Sequence, residues 1–389
     1  MYESSGANLL IVHGGGPTAV INASLYGAIE EAKKHKEIAE IYGAMGGVAG
    51  ILEEKFINFR NQSTSNIELL PYTPASAIGT SRKELYDADY EKIVKVLVKN
   101  NIKYLLFNGG NGSMDTCGKI HNATKQYDIR VIGIPKTIDN DIAITDHAPG
   151  FGSAARYIAA STAEVSQDIK ALPIHVCVIE AMGRNAGWIT AASALARRSR
   201  GDAPHLIYLP ERPFNQNEFL EDVKKLYDEL GGVVVVVSEG LKNDKGESIV
   251  PPVFTQGRSV YFGDVSSYLS LLIIKELGIK SRCEKPGILG RASIAYQSSI
   301  DRQEAIQVGA YSVEAAIKGE TGKMVGFNRI STVPYKCELT LIPIAEVMMH
   351  EKKMPDNFIN DRGNDVTAEF VEYCRPLIGD PLAQFTNFR

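Results

Sequence analysis

The chain has 389 residues, of which 44% are hydrophobic and 23% are charged, and its net charge is −4. This length and composition suit a globular protein with one large or two ordinary α/β domains. The weak negative charge gives no reason to expect nucleic acid or an anionic membrane as a partner.

Three absences in the sequence narrow the class of protein further. No uninterrupted apolar stretch approaches the roughly 20 residues that a membrane span needs, and the first residues lack the basic flank of a signal peptide. The five cysteines are scattered and form no C-x-x-C pair, which argues against a disulfide scaffold or a zinc ribbon. We therefore expect a cytoplasmic protein.

Short apolar runs, each bounded by glycine or polar residues, recur along the chain. In order they are LLIV (9–12), YLLF (104–107), VIGI (131–134), VCVI (176–179) and VVVVV (233–237). Runs of this length, rich in β-branched residues, are typical of strands buried on both faces of a parallel sheet. Segments of helical character lie between them, for example at 21–37 and 217–232. Strands that alternate with helices predict an α/β fold with doubly wound, mainly parallel sheets.

Polar and glycine-rich residues cluster just after these five strands. The segments are HGGGPT, NGGNGS, PKTIDND, EAMGR and SEG, in the order of the strands that they follow. In open α/β sheets, ligands bind beyond the carboxyl ends of the strands. Turns need glycine and polar residues as well, but this explains any one segment more readily than all five. The pattern therefore predicts a single active-site rim.

Two of the five segments are rich in glycine. Gly14, Gly15 and Gly16 form the first, and Gly110, Asn111, Gly112 and Ser113 belong to the second. Glycine lets the backbone approach a phosphate and present its amide groups to it. The first cluster matches neither the Walker pattern nor the full dinucleotide fingerprint, so alone it is a weak signal. Together the two clusters predict a ligand with several phosphoryl groups, or two phosphorylated ligands.

Arginines and one glutamate add candidate ligand contacts. Arg82 in IGTSR and Arg184 in AMGR carry planar guanidinium groups that suit phosphoryl oxygens, although most arginines simply solvate a surface. Glu239 follows the five-valine run and can accept a sugar hydroxyl or cap the next segment. Arg282 and Arg291 lie nine residues apart, a spacing that does not by itself establish a second phosphate site.

The segment PKTIDND, residues 135–141, carries two carboxylates just behind a lysine. Phosphoryl transfer to an alcohol needs a carboxylate that accepts the hydroxyl proton, and cations that neutralise charge on the transferring group. Asp139 and Asp141 can divide the work between a base and an indirect Mg²⁺ or water ligand, and Lys136 can place its charge on a phosphate. Standing alone, the segment would suit an acidic turn or an N-cap better.

Taken together, these motifs resemble the phosphofructokinase family over roughly residues 8–330. GGG, GGNGS, PKTIDND, MGR and SEG occur in the order and spacing of that family, and TIDND with MGR is a specific pair. The resemblance implies two similar α/β domains with the active site between them, a homodimer or homotetramer, and dependence on Mg²⁺. It also implies the glycolytic transfer of a phosphoryl group to the 1-hydroxyl of fructose 6-phosphate, which gives fructose 1,6-bisphosphate.

The resemblance also assigns domains to the chain. Residues 1–148 are expected to form a donor-phosphate domain, to which part of 292–350 returns. Residues 149–291 are expected to form the fructose 6-phosphate domain, and residues 351–389 a C-terminal extension with a polar, turn-rich start.

Roles are carried over from the family onto particular residues. Asp139 resembles the general base that accepts the 1-hydroxyl proton, and Asp141 its acidic partner, which together with Asn111 would hold Mg²⁺. The expected catalytic residues are Asp139, Asp141, Lys136 and Arg184. The expected donor-phosphate contacts are Gly14, Gly15, Arg82, Gly110, Asn111, Gly112 and Ser113. The expected sugar-phosphate contacts are Thr137, Ile138, Asp139, Met182, Gly183, Arg184, Glu239, Arg282 and Arg291, and a neighbouring subunit commonly donates one of the last two.

Two positions depart from the bacterial ATP-dependent members of the family. His175 replaces an arginine seven residues before MGR, and Ile288 replaces a histidine three residues before Arg291. These differences argue against the allosteric behaviour of those enzymes. The segments MGRNAGW and HAPGFGSAARYIAAST are closer to the pyrophosphate-dependent branch.

The phosphoryl donor depends on two positions in the family. Pyrophosphate-dependent members have an aspartate at the position of Gly112, which blocks and repels the α-phosphate of ATP, and a lysine at the position of Lys136. Common bacterial ATP-dependent members have glycine at both positions, and this chain combines the glycine with the lysine. Because the aspartate excludes ATP whereas the lysine can assist either donor, the sequence favours ATP with Mg²⁺, as in some parasite enzymes with the same pair.

Two alternatives to the ATP-dependent enzyme stay open. Asn111 stands where ATP enzymes usually place an aspartate for Mg²⁺, and this favours a reversible pyrophosphate-dependent fructose 6-phosphate 1-phosphotransferase. The third hypothesis is a non-catalytic relative that binds sugar phosphates or regulates a partner. Such a relative should have lost its base or its arginines, yet Asp139, Asp141 and Arg184 are all present.

Overall fold

The computed structural model describes residues 6–199, 201–256, 259–348 and 350–386. The chain divides into two compact units. Unit 1 takes its described residues from Met1–Phe151 and Arg291–Lys352, and unit 2 takes its own from Gly152–Gly290 and Lys353–Arg389. None of the helices in the described ranges is long and apolar enough to cross a membrane.

Thirteen strands and thirteen α-helices occur in the described ranges. The strands are β1 Ala7–His13, β2 Ile38–Ala44, β3 Phe56–Asn58, β4 Ile102–Gly109, β5 Arg130–Pro135, β6 Val176–Ala181, β7 Leu206–Tyr208, β8 Val233–Ser238, β9 Pro252–Gln256, β10 Ser259–Phe262, β11 Ser281–Glu284, β12 Lys323–Ser331 and β13 Lys336–Pro343. The helices are α1 Ile21–Ala32, α2 Val48–Leu52, α3 Thr64–Glu68, α4 Asp87–Lys99, α5 Asn111–Ala123, α6 Phe151–Ala171, α7 Trp188–Ala192, α8 Gln216–Leu230, α9 Val265–Leu277, α10 Ile288–Ala292, α11 Ser299–Ile317, α12 Ile344–Val347 and α13 Ala368–Cys374.

Unit 1 is built on a seven-stranded sheet with the order β13-β12-β5-β4-β1-β2-β3. The five inner strands pair in parallel, and the edge strands β13 and β3 pair antiparallel to their neighbours. On one face, Leu10 and Phe107 of the sheet share a core with residues of α4 and α5. On the other face, Leu9 and Leu106 share a core with residues of α1 and α11. Helices on both faces make this sheet doubly wound.

Unit 2 contains a smaller, fully parallel sheet with the order β11-β6-β8-β7. Its core joins alternate valines of β8 to Phe219 of α8 and Leu269 of α9. A separate antiparallel pair is formed by β9 and β10. The predicted α/β class with mainly parallel sheets is therefore confirmed.

A buried charged link ties together the two chain segments of unit 1. The His147 ring lies between two carboxylates, with Nδ1 2.8 Å from Oδ2 of Asp146 and Nε2 2.7 Å from Oε2 of Glu304. The ring also stacks on Phe327 at 4.4 Å between centroids. Cys337 Sγ lies near His147 and Asp146, but both ring nitrogens are engaged by carboxylates, so this cluster acts as a salt bridge rather than a metal site.

The five apolar runs all form strands, namely β1, β4, β5, β6 and β8. The predicted helix at 217–232 corresponds to α8, which ends at Gly231 with φ of 72°. The predicted helix at 21–37 ends earlier, at Ala32, because none of residues 33–37 is buried and no apolar side chain anchors another turn.

The structure divides the chain differently from the predicted boundaries. The first crossing between units falls after Phe151 rather than after residue 148, and the returning segment runs over Arg291–Lys352. The described residues after Lys352 do not form a separate extension but are part of unit 2. The reason is a set of contacts: Asn364 donates to Asp222 at 2.7 Å, and Phe370 is fully buried.

Candidate active site

The predicted strand tips belong to two sheets, one in each unit. Those of β1, β4 and β5 end the sheet of unit 1, and those of β6 and β8 end the sheet of unit 2. In unit 1 the three strands are neighbours, so their tips meet. The Lys136 amide donates to the Gly109 carbonyl at 3.0 Å, and the Gly14 amide donates to the Asn108 carbonyl at 2.8 Å.

Three cationic side chains gather around the first glycine cluster. Lys136 Nζ donates to the Gly16 carbonyl at 2.5 Å. A Cβ added to Gly16 would lie 3.0 Å from Nη1 of Arg291 and 3.7 Å from Nη2 of Arg82. Arg82 is exposed, whereas the Lys136 side chain is buried, and burial lowers the pKa of Lys136 to about 8. Positive groups beside a glycine backbone form a site suited to an anion.

The glycines of the two clusters are not equivalent. A Cβ on Gly14 would lie 2.4 Å from Oγ of Ser113, and one on Gly109 would lie only 2.1 Å from it. The backbone at both glycines therefore packs against the Ser113 side chain. Gly15 needs glycine for another reason, its φ of 72°. Gly112 differs from all of these because it is exposed and an added Cβ would meet no heavy atom within 4 Å.

The acidic loop after β5 is bent rather than extended. Asn140, between the two aspartates, has a φ of 53°. The Asp139 amide donates to Oγ1 of Thr137 at 3.1 Å, and that hydroxyl donates to Oδ1 of Asp141 at 3.1 Å. Ile138 is buried and anchors the loop, while Asp139 and Asp141 stay partly exposed. Thr137 therefore ties the two aspartate positions together.

Asn111 and Asp141, the predicted metal ligands, are in direct contact. Asn111 Nδ2 donates to Oδ2 of Asp141 at 3.0 Å. The amide oxygen of Asn111 is buried and has no hydrogen-bond partner. Mg²⁺ prefers oxygen ligands and is commonly held by one or two carboxylates with water and substrate phosphates. An orphaned amide oxygen beside a carboxylate fits such an ion.

In unit 2, the loops after β6 and β8 are locked together. The Gly183 amide donates to Oε1 of Glu239 at 3.2 Å, and Oγ of Ser238 donates to the Gly183 carbonyl at 2.8 Å. Gly183 has a φ of 117°, which few other residues adopt. The structure thus places Gly183, between Met182 and Arg184, in contact with Glu239 and Ser238.

The two arginines predicted to grip one phosphate lie in different units. Arg291 begins the second segment of unit 1, whereas Arg282 lies on β11 of unit 2. Arg282 pairs with Cys177 near the start of β6, so it lies at the opposite end of that strand from Met182 and Gly183. Unit 2 alone therefore does not bring Arg282 to its predicted site, and the pairing stays a prediction.

Two supporting residues were missed by the sequence analysis. His13 is fully buried at the end of β1, its Nδ1 lies 2.8 Å from Oγ of Ser76, and burial lowers its pKa to about 3, so the ring is neutral. Oε1 of Glu211 accepts from the Gly187 amide at 2.8 Å, and burial raises the pKa of Glu211. His13 stood in the quoted HGGG motif, whereas no local pattern marked Glu211, 24 residues from its partner.

Comparisons with known proteins show the family of the chain. The family described as Phosphofructokinase matches residues 8–316. A pyrophosphate–fructose 6-phosphate 1-phosphotransferase from Rhodospirillum rubrum is 40% identical over 384 residues, which are 95% of this chain and 94% of that one. A protein of the same name from Xanthomonas campestris pv. campestris is 38% identical over 383 residues, covering 95% and 91%.

A solved structure gives the same result. The crystal structure of the pyrophosphate-dependent phosphofructokinase from Marinobacter aquaeolei is 37% identical and has a TM-score of 0.89, covering 98% of this chain and 94% of that one. The predicted phosphotransferase class and the two-domain fold are confirmed by these matches. The chain, with its glycine clusters, its acidic loop and its locked MGR and SEG loops, therefore belongs to the phosphofructokinase family.

Proposed function

We propose that this protein transfers a phosphoryl group from pyrophosphate to the 1-hydroxyl group of fructose 6-phosphate in a readily reversible reaction. The observation that carries the proposal is the group of three cationic side chains around Gly16, namely Lys136, Arg82 and Arg291. It lies at the carboxyl ends of the strands of unit 1, where the loop with Asp139 and Asp141 also begins. Cationic groups beside a glycine backbone suit a phosphoryl donor, and a nearby carboxylate suits a hydroxyl acceptor.

The names of the similar proteins support pyrophosphate, rather than ATP, as the phosphoryl donor. Those from Rhodospirillum rubrum and Xanthomonas campestris, 40% and 38% identical, are named for pyrophosphate. This reverses the preference for ATP that the sequence analysis drew from Gly112. Lys136 agrees with the change, because orthophosphate leaving from pyrophosphate carries a concentrated negative charge that a nearby ammonium group neutralises.

In the proposed reaction, Asp139 accepts the proton of the 1-hydroxyl as its oxygen attacks the near phosphorus of pyrophosphate. The bond from that phosphorus to the bridging oxygen breaks, and orthophosphate leaves. Lys136, Arg82 and the backbone amide groups at the start of α5, at Asn111 and Gly112, neutralise charge on the donor phosphates. Asp141 accepts a hydrogen bond from the Thr137 hydroxyl and so holds the loop that carries Asp139, the proposed base.

Unit 2 is proposed to supply the contacts to the sugar phosphate. Glu239 already accepts from the Gly183 amide with Oε1, and its other carboxylate oxygen is the candidate acceptor for a sugar hydroxyl. Exposed Arg184 is the candidate cation for a phosphoryl group. Met182 of unit 2 and Thr137 and Ile138 of unit 1 complete the proposed contacts.

Asn111 and Asp141 would hold Mg²⁺, and the ion would supply charge neutralisation on the donor phosphates. The Mg²⁺ requirement, the homodimer or homotetramer, and the cytoplasmic location stay predictions. The same applies to Arg282 and Arg291 as a shared grip on the 6-phosphate.

A second candidate function is the ATP-dependent reaction, and one observation favours it. Gly112 is exposed and has open space around its would-be Cβ, so nothing at this position blocks a nucleotide. In the family's donor rule an aspartate at this position excludes ATP by its bulk and charge, and this chain lacks that carboxylate.

The test is a measurement of fructose 1,6-bisphosphate formation with Mg²⁺ and either pyrophosphate or ATP as the sole donor. We expect kcat/KM with pyrophosphate to exceed that with ATP by at least about tenfold, a difference of about 1.4 kcal/mol. Gly112→Asp should lower any ATP-dependent activity at least about tenfold and leave pyrophosphate use within about threefold, because its carboxylate meets only the nucleotide.

Asp139→Asn, which removes the proposed base, is the inactive control, with an expected loss of about 10²–10⁴-fold in kcat. Turnover with ATP alone would replace the proposed donor by the second candidate. No turnover with either donor would contradict both.

A further inference from the structure

The short segment after α12 lies directly against the acidic loop of unit 1. Glu351 forms an antiparallel bridge with Ile142. The Lys352 amide donates to the Asp141 carbonyl at 2.8 Å. The sequence predicts these residues to be the start of a C-terminal extension, without a role in the active site.

The Lys352 side chain reaches into the same loop and contacts it at three further points. Nζ donates to the Asp146 carbonyl at 2.7 Å, to the Thr145 carbonyl at 3.1 Å and to Oδ1 of Asn140 at 3.3 Å. Each of these acceptors can take an N–H of the Lys352 side chain. The contacts bracket the loop, because Asn140 lies at its beginning and Asp146 at its end.

The loop that Lys352 spans has a backbone that needs such support. Asn140 has a φ of 53° and Ile144 a φ of 71°, both in the left-handed region. A β-branched residue there is unusual, and each such residue costs about 1–3 kcal/mol. Such conformations persist only where surrounding contacts enforce them. Lys352 donates to three backbone carbonyls, one from its amide and two from Nζ, so its bonds depend on the path of the chain itself.

We propose that Lys352 is a positioning residue for phosphoryl transfer, which fixes the 139–146 loop so that Asp139 and Asp141 keep their orientation. This inference rests on the proposed function, in which those aspartates act on the acceptor hydroxyl and the donor. Lys352 touches neither substrate in this role. It acts through the backbone carbonyls of Asp141, Thr145 and Asp146 and through the Asn140 side chain.

The geometry calls for lysine in particular. A lysine ammonium is compact and directs its donors to three separate acceptors, whereas the arginine guanidinium is planar and larger. Lys352→Arg therefore keeps the charge but loses the fit, and Lys352→Met keeps most of the stem but loses all three donors. The neighbouring Lys353 is exposed and provides a matched control.

The experiment compares wild type, Lys352→Met, Lys352→Arg and Lys353→Met in steady-state assays with whichever donor the wild type uses. We expect kcat to fall about 10- to 100-fold in Lys352→Met, because small misplacements of reacting groups have effects of this size. The KM for fructose 6-phosphate should stay within about threefold, since the proposed contacts in unit 2, at Met182, Gly183, Arg184 and Glu239, do not involve the loop that Lys352 holds. Lys352→Arg should recover little, and Lys353→Met should match wild type.

Hydrogen exchange of the 139–146 amides gives a second readout that needs no turnover. It should be faster in folded Lys352→Met than in wild type, with other segments of unit 1 unchanged. Wild-type kcat and unchanged exchange in Lys352→Met would overturn the inference. An inactive wild type would contradict the proposed function instead, and the exchange measurement would still test whether Lys352 holds the loop.

Discussion

Lys136 shows how one residue type acquires a particular chemistry from its surroundings. Its side chain is 3% exposed and donates to the Gly16 carbonyl. Burial lowers its pKa to about 8, Asp139 opposes the shift, and Arg291 and Arg82 add to it. The ammonium group therefore titrates close to neutral pH instead of staying charged well into the alkaline range.

A pH dependence follows for the free enzyme. We expect kcat/KM for the donor to fall as pH rises through about 8, because Lys136 loses the proton that gives it its charge. Lys136→Met should lower kcat/KM about 100-fold at pH 7, as expected for loss of a cation that stabilises transition-state charge. It should also remove the alkaline limb near pH 8. A limb that persists unchanged in Lys136→Met would assign the titration to another group.

The sequence identified Lys136 but could not predict its pKa. The burial of Lys136 depends on the carboxyl ends of β1, β4 and β5 lying side by side. The cation cluster around it includes Arg291, which is more than 150 residues away in the chain. Asn111 is a similar case: its position was predicted, whereas its orphaned amide oxygen beside Asp141 appears only in three dimensions.

At the scale of elements, the MGR and SEG loops behave as one piece. Glu239 and Ser238 both bond to Gly183. The next residue, Gly240, is packed so closely that an added Cβ would lie 1.7 Å from the Arg184 carbonyl oxygen. Backbone of one loop therefore rests on backbone of the other, and neither can shift alone.

Gly240→Ala tests this coupling. The added methyl group must push Arg184 away from Glu239, so we expect the KM for fructose 6-phosphate to rise at least about tenfold, the effect of about 1.4 kcal/mol of lost binding. The KM for the donor should change less. Gly263→Ala is the control, because its Cβ would meet only ordinary contacts of 3.8 Å or more. Equal KM values in the two variants would contradict the coupling.

The sequence predicts a strand where the strand is an uninterrupted run of buried apolar residues, and not elsewhere. β1, β4, β5, β6 and β8 read as apolar runs because most or all of their residues are buried. β11 has no fully buried residue, and β3 is only three residues long, so neither carries an apolar run or a clear alternation. The site residues on the predicted strand tips could be found for the same reason, whereas Glu211 could not.

At the scale of the whole molecule, the sequence predicted the return of a late segment to the first domain but not what ties it there. His147 and Glu304 are 157 positions apart in the chain and share a buried hydrogen bond. Burial by itself would lower the pKa of His147, but Glu304 and Asp146 raise it to about 9. The imidazolium is therefore charged at neutral pH and joins the two segments of unit 1.

This link should make stability depend on pH. Because its folded pKa lies above the unfolded value, His147 contributes stability that is complete below about pH 6.5 and is lost as pH rises through about 9. The free energy of unfolding of wild type should exceed that of His147→Gln at pH 6.5, and the difference should shrink by on the order of 3 kcal/mol towards pH 9.5.

The difference between wild type and His147→Gln isolates the contribution of His147. Burial lowers the pKa values of Lys136 and Lys352, which changes stability with pH in the opposite direction, but it does so in both proteins. Urea unfolding of both proteins at a series of pH values measures the difference directly. A difference that does not vary with pH would contradict the assigned charge of His147.

The pairing of β5 with β12 has a consequence for how the chain is made. β5 ends at Pro135, and its partner begins only at Lys323, so a ribosome must complete every residue of β6 to β11 before the sheet of unit 1 can close. Until then β5 offers an open edge, and the apolar sheet face that α1 and α11 cover together lacks α11. Open edges and bare apolar faces are sites of aggregation in nascent chains. Biosynthesis is thus the stage at which this topology is most vulnerable, and prematurely terminated chains are the products that chaperones would have to capture.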